Sequence, residues 1–161
     1  MPSIAESVAS LRISGDALNP ESVTARIGAM PTTSYRKGDV EQVREGTQLV
    51  RRTGLWLLEA PARKPEDLNS QVAEILARLT QDIDVWKALT REFEVDLYCG
   101  LFMASTNDWL SLSASTLAAL GERGIELGRV EPGESTATPL HGPRLHVNEP
   151  VSSRERVLQV V

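Results

Sequence analysis

The sequence has one cysteine, two histidines and only seven aromatic residues, three Trp, two Tyr and two Phe, among 161 positions. A single cysteine excludes an internal disulfide and a zinc site built from thiolates. Cys99 lies in the apolar run of residues 95–103, a setting in which a free thiol behaves as a small buried hydrophobe rather than a nucleophile. Both histidines, His141 and His146, fall in a Pro/Gly-punctuated stretch, five residues apart, with Glu149 nearby. That is not the spacing of a metal pair on one helix face, so no metal site and no cofactor is expected. A Ser-centred nucleophile elbow and a glycine-rich phosphate loop are also missing. A Ser–His or Cys–His mechanism would need the segment carrying the histidines folded over the rest of the chain.

Basic charge is scarce as well. Seventeen Lys and Arg face 22 Asp and Glu, for a net charge of −5, which argues against a nucleic-acid binder. No apolar run approaches the roughly 20 residues of a membrane span. Residues 1–10 hold Glu6 and neither Lys nor Arg, unlike a signal peptide. A cytoplasmic location of bacterial type is the expectation.

What is present is an ordinary globular composition, 41% hydrophobic and 24% charged. A chain of this size buries enough surface to fold without staples. Residues 1–130 read as one α+β domain. Residues 131–161 read as an appended tail, punctuated by Pro132, Gly133, Pro139, Gly142, Pro143 and Pro150 and ending in the apolar residues 157–161. Such an end is a candidate to dock on a sheet edge of its own domain or of a second copy, which would make a homodimer.

Along the chain, residues 8–13 alternate, imperfectly, as a half-buried strand. Asn19-Pro20-Glu21 then supplies an N-cap, a first-turn proline and an acid at the positive end of the dipole. Val23, Ile27 and Met30 are the expected buried stripe, with Gly28 as a left-handed C-terminal residue. A short strand or loop is expected at residues 33–36, then an exposed polar excursion to residue 52. Residues 54–60 form a compact apolar run, stopped by Pro61, and read as a central strand. From residue 68 to 93, apolar residues recur at three- and four-residue spacing, as an amphipathic helix packed on a sheet requires. Asp82 and Asp84 mark a kink, or a break into two helices. The stripe of Leu76, Leu79, Ile83 and Trp86 is expected to bury against a sheet containing Trp56 and Tyr98 or their neighbours. Residues 95–103 have strand-forming types. Ser113 caps a helix over residues 114–120, closed by Gly121 and Gly124, and residues 125–130 alternate as a final strand. The pattern predicts a two-layer sandwich: a mixed or antiparallel sheet of about four to five strands with helices packed on one face. An internal β-α-β pseudo-duplication is suggested by the parallel between Leu18-Asn19-helix-Gly28 and Leu112-Ser113-helix-Gly121.

Three stretches taken together, LRISGDALNPESVTARIG, PTTSYRKGD and TGLWLLE, followed by the long helical pattern and STLAALGERGIELG, resemble the bacterial domain of unknown function 4279 family. The resemblance covers about residues 8–130. It supports the domain boundary and implies no catalytic residue.

Two sets of residues are candidates for function. Asp16, Glu21, Asp39, Glu59, Asp96 and Asp108 lie near element ends, where acid–base pairs form. Tyr35, Arg36, Lys37, Asp108 and Trp109 combine the arginine and aromatic types enriched at binding hot spots, while Trp56, among apolar neighbours, reads as core. With no catalytic motif in hand, the expected function is a non-catalytic binding module for a protein partner or small ligand, of immunity or regulatory type. The alternative is a small hydrolase or transferase using carboxylates near strand ends. Carboxylates converging in a concave pocket favour the enzyme; a flat face with exposed Trp and Arg favours the binder.

Overall fold

The computed structural model describes residues 4–103 and 110–132. Its element order is β1 (Ile4–Gly15), α1 (Pro20–Ile27), β2 (Thr33–Tyr35), β3 (Val40–Arg44), β4 (Thr47–Val50), β5 (Gly54–Glu59), α2 (Leu68–Ala77), α3 (Ile83–Glu92), β6 (Glu94–Met103), α4 (Ala114–Glu122) and β7 (Glu126–Pro132). Five strands form one mixed sheet in the order β2-β5-β1-β6-β7, and β3 and β4 form a separate two-stranded sheet. Among the described strands, only the β6–β7 pair is parallel. The fold is the α+β two-layer arrangement that the patterning predicts.

Local chemistry accounts for the helix ends. The Asn19 side chain accepts from the Glu21 and Ser22 amides, Pro20 opens α1, and Gly28 closes it at φ 85°, a value that favours glycine. The long apolar pattern after residue 68 breaks into two helices. The Arg78 amide bonds back to Ile75 and Leu76, and the Asp82 carboxylate accepts from the Asp84 amide to start α3. Aspartate at that position offers a better partner to the free amides of a new helix than to a continuing one. Gly121 lies inside α4, and the turn after the helix takes its positive φ at Gly124.

The core lies between one sheet face and the helices. Ala9, Leu11 and Ile13 of β1, Trp56 and Leu58 of β5, and Val95, Leu97 and Cys99 of β6 belong to a single buried cluster, with Val23, Ile27, Val72, Ile75, Trp86, Leu89 and Leu120 from the four helices. Each fully buried aliphatic side chain contributes about 1.5–3 kcal/mol. Both core indoles find partners: Trp56 Nε1 donates to Thr24 Oγ1 at 3.0 Å and Trp86 Nε1 donates to the Thr80 carbonyl at 2.9 Å.

Several expectations change. Met30 lies beyond α1 and is 73% exposed; the stripe ends with Ile27, where Gly28 turns the chain away. Leu76, Leu79 and Trp86 are buried as expected, but Ile83, in the first turn of α3, is only half-buried. Tyr98 is not in the layer beneath the helices. The antiparallel register of β6 against β1 puts Leu97 and Cys99 in that layer and turns Tyr98 to the opposite face. Residues 40–50, read as part of an exposed polar excursion, are largely exposed but pair as a hairpin around Gly46 at φ 79°.

Candidate functional site

Strand alternation gives the sheet a second face. Opposite the core it carries Tyr35 of β2, Leu55, Leu57 and Glu59 of β5, Ser10 and Arg12 of β1, and Asp96 and Tyr98 of β6, all placed by the pairing register. The four described helices each send buried apolar side chains into the core cluster on the other side of the sheet. The residues of the second face are polar or half-buried, with Ser10 and Leu55 the more enclosed.

Arg12 is the centre of this surface. Its Nε donates to Asp96 Oδ1 at 2.9 Å and a terminal nitrogen pairs with Oδ2, a bidentate arrangement that fixes the plane of the guanidinium. The same guanidinium stands 5.0 Å from the centre of the Tyr98 ring, within cation–π range. Gly128 makes room for this pair: a Cβ there would run into the Asp96 carboxylate. A second stack lies where β2 meets the hairpin. The Arg51 guanidinium is 4.1 Å from the Tyr35 ring centre, pairs with Glu41, and is only 12% exposed. Burial, opposed by the Arg51 charge and reinforced by Glu41, holds the Tyr35 phenol above its usual pKa, so it remains a neutral donor and acceptor at physiological pH.

The other sequence candidates are spread out. Arg36 pairs with Glu21 and reaches Asn19 Oδ1 at 3.3 Å, and Lys37 pairs with Asp16. Both tether the chain after β2 to the start of α1 and the end of β1. The carboxylates of Asp16 and Glu21 are held below their usual pKa, chiefly by hydrogen bonds from Lys37 and Arg36 respectively. Asp39 accepts from the Arg36 amide at 2.8 Å, and Glu59 accepts from the Ser10 hydroxyl at 3.4 Å. Asp108 and Trp109 lie outside the described residues, as do His141, His146 and the terminal apolar string. Trp56 is fully buried.

Two shallow, open depressions on the described surface adjoin the sequence candidates. One, of about 550 Å³, lies at the hairpin base among Lys37, Gly38, Leu49, Val50, Arg51 and Arg52. The other, of about 650 Å³, lies at the strand ends and is lined by Asp16, Arg91, Glu92, Phe93 and Glu94 among others. Among the described residues, no group of three or more His, Cys, Asp or Glu is placed to hold a metal ion. No described helix is long and apolar enough to cross a membrane.

Arg12, Asp96, Tyr98 and Arg51 were not singled out together from the sequence. Asp96 and Tyr98, two apart in a strand, had to share a face. Their meeting with Arg12 depends on register between strands some 84 positions apart in sequence.

The chain belongs to the family described as domain of unknown function (DUF4279), whose model matches residues 5–129. No curated protein and no solved structure matches it.

Proposed function

We propose that this member of the family is a non-catalytic binding module, recognising a protein partner or small ligand through the sheet face opposite the helices and the adjoining segment around Tyr35, Arg36 and Lys37. The observation that carries the reading is that face itself. It presents two Arg–Tyr stacks, Arg12–Tyr98 and Arg51–Tyr35, each with its guanidinium held by a carboxylate. Rigid aromatic and arginine groups on a sheet lose little conformational freedom on docking. In an immunity-type or regulatory version, the net charge of −5 speeds encounter with a basic partner.

The competing reading, a small hydrolase or transferase, draws on Asp16, Glu92 and Glu94 around the strand-end depression. It is the weaker one on physical grounds. Asp16 is ion-paired with Lys37 and its pKa is lowered, and Glu92 is paired with Arg26, whereas a general acid needs a raised pKa.

The test is affinity capture from the native host with the intact chain as bait, followed by binding measurements with the captured molecule. Tyr35→Ala and Tyr98→Ala should each weaken binding by tenfold or more, on the order of 1.4 kcal/mol. A partner that binds both variants as tightly as the unaltered chain would refute the assignment to this face.

A further inference from the structure

Strand register puts five carboxylates on the sheet face opposite the helices: Glu6, Glu59, Glu94, Asp96 and Glu126. Two of them are matched. Asp96 holds Arg12, and Glu6 lies 2.8 Å from the Lys64 ammonium. The Arg51 guanidinium above Tyr35 is matched by Glu41. With these ion pairs set aside, Glu59, Glu94 and Glu126 remain, and the described side chains of the five strands offer no cation to balance them. All three are exposed. Glu59 accepts from the Ser10 hydroxyl at 3.4 Å. Among the described residues no side-chain hydrogen bond or ion pair holds Glu94 or Glu126, and Arg91, which lines the strand-end depression with Glu94, does not pair with it.

These carboxylates border an apolar strip. Tyr98, Gly100 and Phe102 follow one another on this side of β6, with Val8 of β1 opposite Gly100. Both rings are half-buried, so each still presents part of its surface. In the strand order, Glu59 of β5 and Glu126 of β7 stand on either side of the β1–β6 pair, and Glu94 lies at its end. Lys and Arg side chains combine an aliphatic stem with a charged head, and a guanidinium also stacks on aromatic rings. An apolar strip edged by unmatched carboxylates suits both parts.

We propose that this face docks a basic surface of a protein partner, whose Lys and Arg side chains lay their stems along Tyr98, Gly100 and Phe102 and set their charges against Glu59, Glu94 and Glu126. The proposal rests on the reading of the chain as a binding module and gives that face its partner chemistry. Charge complementarity selects the occupant: the unmatched charge described on the face is all negative, so a cationic surface is attracted and an acidic one repelled. A second copy docked face to face would set like charges against one another. Residues 133–161 hold three Arg and three Glu, so the chain's own end has no net attraction to the face.

The test is panning of a random dodecapeptide library against the full chain, followed by fluorescence anisotropy with the enriched peptides. Expected are sequences in which Lys and Arg are interleaved with apolar residues. Their affinity should fall about tenfold or more in the variant carrying both Glu94→Gln and Glu126→Gln. A second variant, with Glu45→Gln in the hairpin turn and Glu122→Gln in α4, removes the same charge elsewhere and should bind as the parent does. All four positions are exposed, so both variants should keep the parent's unfolding midpoint. Equal losses in the two variants would reduce the effect to net charge and overturn the proposal. Enriched peptides without basic residues would also overturn it; their loss with Tyr98→Ala would leave the sheet-face reading standing. No enrichment at all would count against both. A synthetic peptide of residues 133–161 that displaces the enriched peptides would assign the face to the chain's own end instead. A doubled mass in solution that Tyr98→Ala halves would assign it to a second copy.

Discussion

Replacing Gln71 by Leu tests the least expected feature of the core. Gln71 sits in α2 among apolar residues and is fully buried. Its amide nitrogen donates to the Ser7 carbonyl at 3.0 Å and to the Pro61 carbonyl at 2.7 Å, and its oxygen accepts from the Ser7 hydroxyl at 2.6 Å. These bonds clamp β1, α2 and the segment after β5, where Ser7 and Arg63 also exchange backbone bonds at 3.1 and 3.0 Å. In Gln71→Leu the Ser7 hydroxyl proton loses its acceptor in a site with no access to water, a loss of about 1–3 kcal/mol. The Ser7 carbonyl keeps the Arg63 amide. Pro61 is exposed, so water replaces the lost donor there at little cost. The added aliphatic burial offsets part of the loss, leaving a net destabilisation of about 1–2 kcal/mol. Urea unfolding should show this as a lower midpoint at unchanged slope. Amide exchange at Arg63 should quicken by more than exchange in α4, which lies outside the clamp. A stability change below about 0.5 kcal/mol, the range of ordinary surface substitutions, would refute the clamp.

Leu79→Ala removes a buried side chain, 5% exposed, and should lower stability by about 2–5 kcal/mol; an unchanged unfolding midpoint would show that this side of the α2–α3 junction does not face the core. Gly128→Ala should displace the Asp96 carboxylate and weaken its bond to Arg12, costing about 0.5–1.5 kcal/mol for a partly exposed pair with charge-assisted hydrogen bonds. Most of that cost should vanish in an Asp96→Ala background, and equal costs in the two backgrounds would point to a clash elsewhere. Burial pushes the Cys99 thiol up to about 12, well above the ordinary 9.0, so the folded state holds its proton more tightly than the unfolded state. Its contribution to stability is complete below pH 9 and is lost as pH rises from there toward 12. The matching expectation is that thiol reagents at pH 8 label Cys99 at the rate of global unfolding, and rapid labelling of the native chain would contradict its burial.

Sequence alone determined the features whose energetics close within a turn or a strand. Asn19, Pro20 and Gly28 delimit α1 because a cap, a first-turn proline and a left-handed residue act over four or five positions. Asp82 marked the place where the long pattern is interrupted for the same reason, and the structure decided for a break rather than a kink. Apolar periodicity identified the buried sides of those helices and so the two-layer class, and the resemblance to a known family followed from the order of these segments. Tertiary structure decided what depends on distant partners. An alternating strand has two faces, and only the register of β6 against β1 turned Tyr98 and Asp96 toward Arg12 and away from the helices. Gln71 offered no sign of burial, because a buried amide needs acceptors and a donor that come from β1 and from Pro61. The hairpin of residues 40–50 lacked a sustained apolar alternation, since one of its faces meets Tyr35 and Arg51 while its valines face solvent. Local signals are strong where the compensating group is a few residues away; the candidate site is assembled across β1, β2, β6 and the hairpin, and no stretch of sequence contains it.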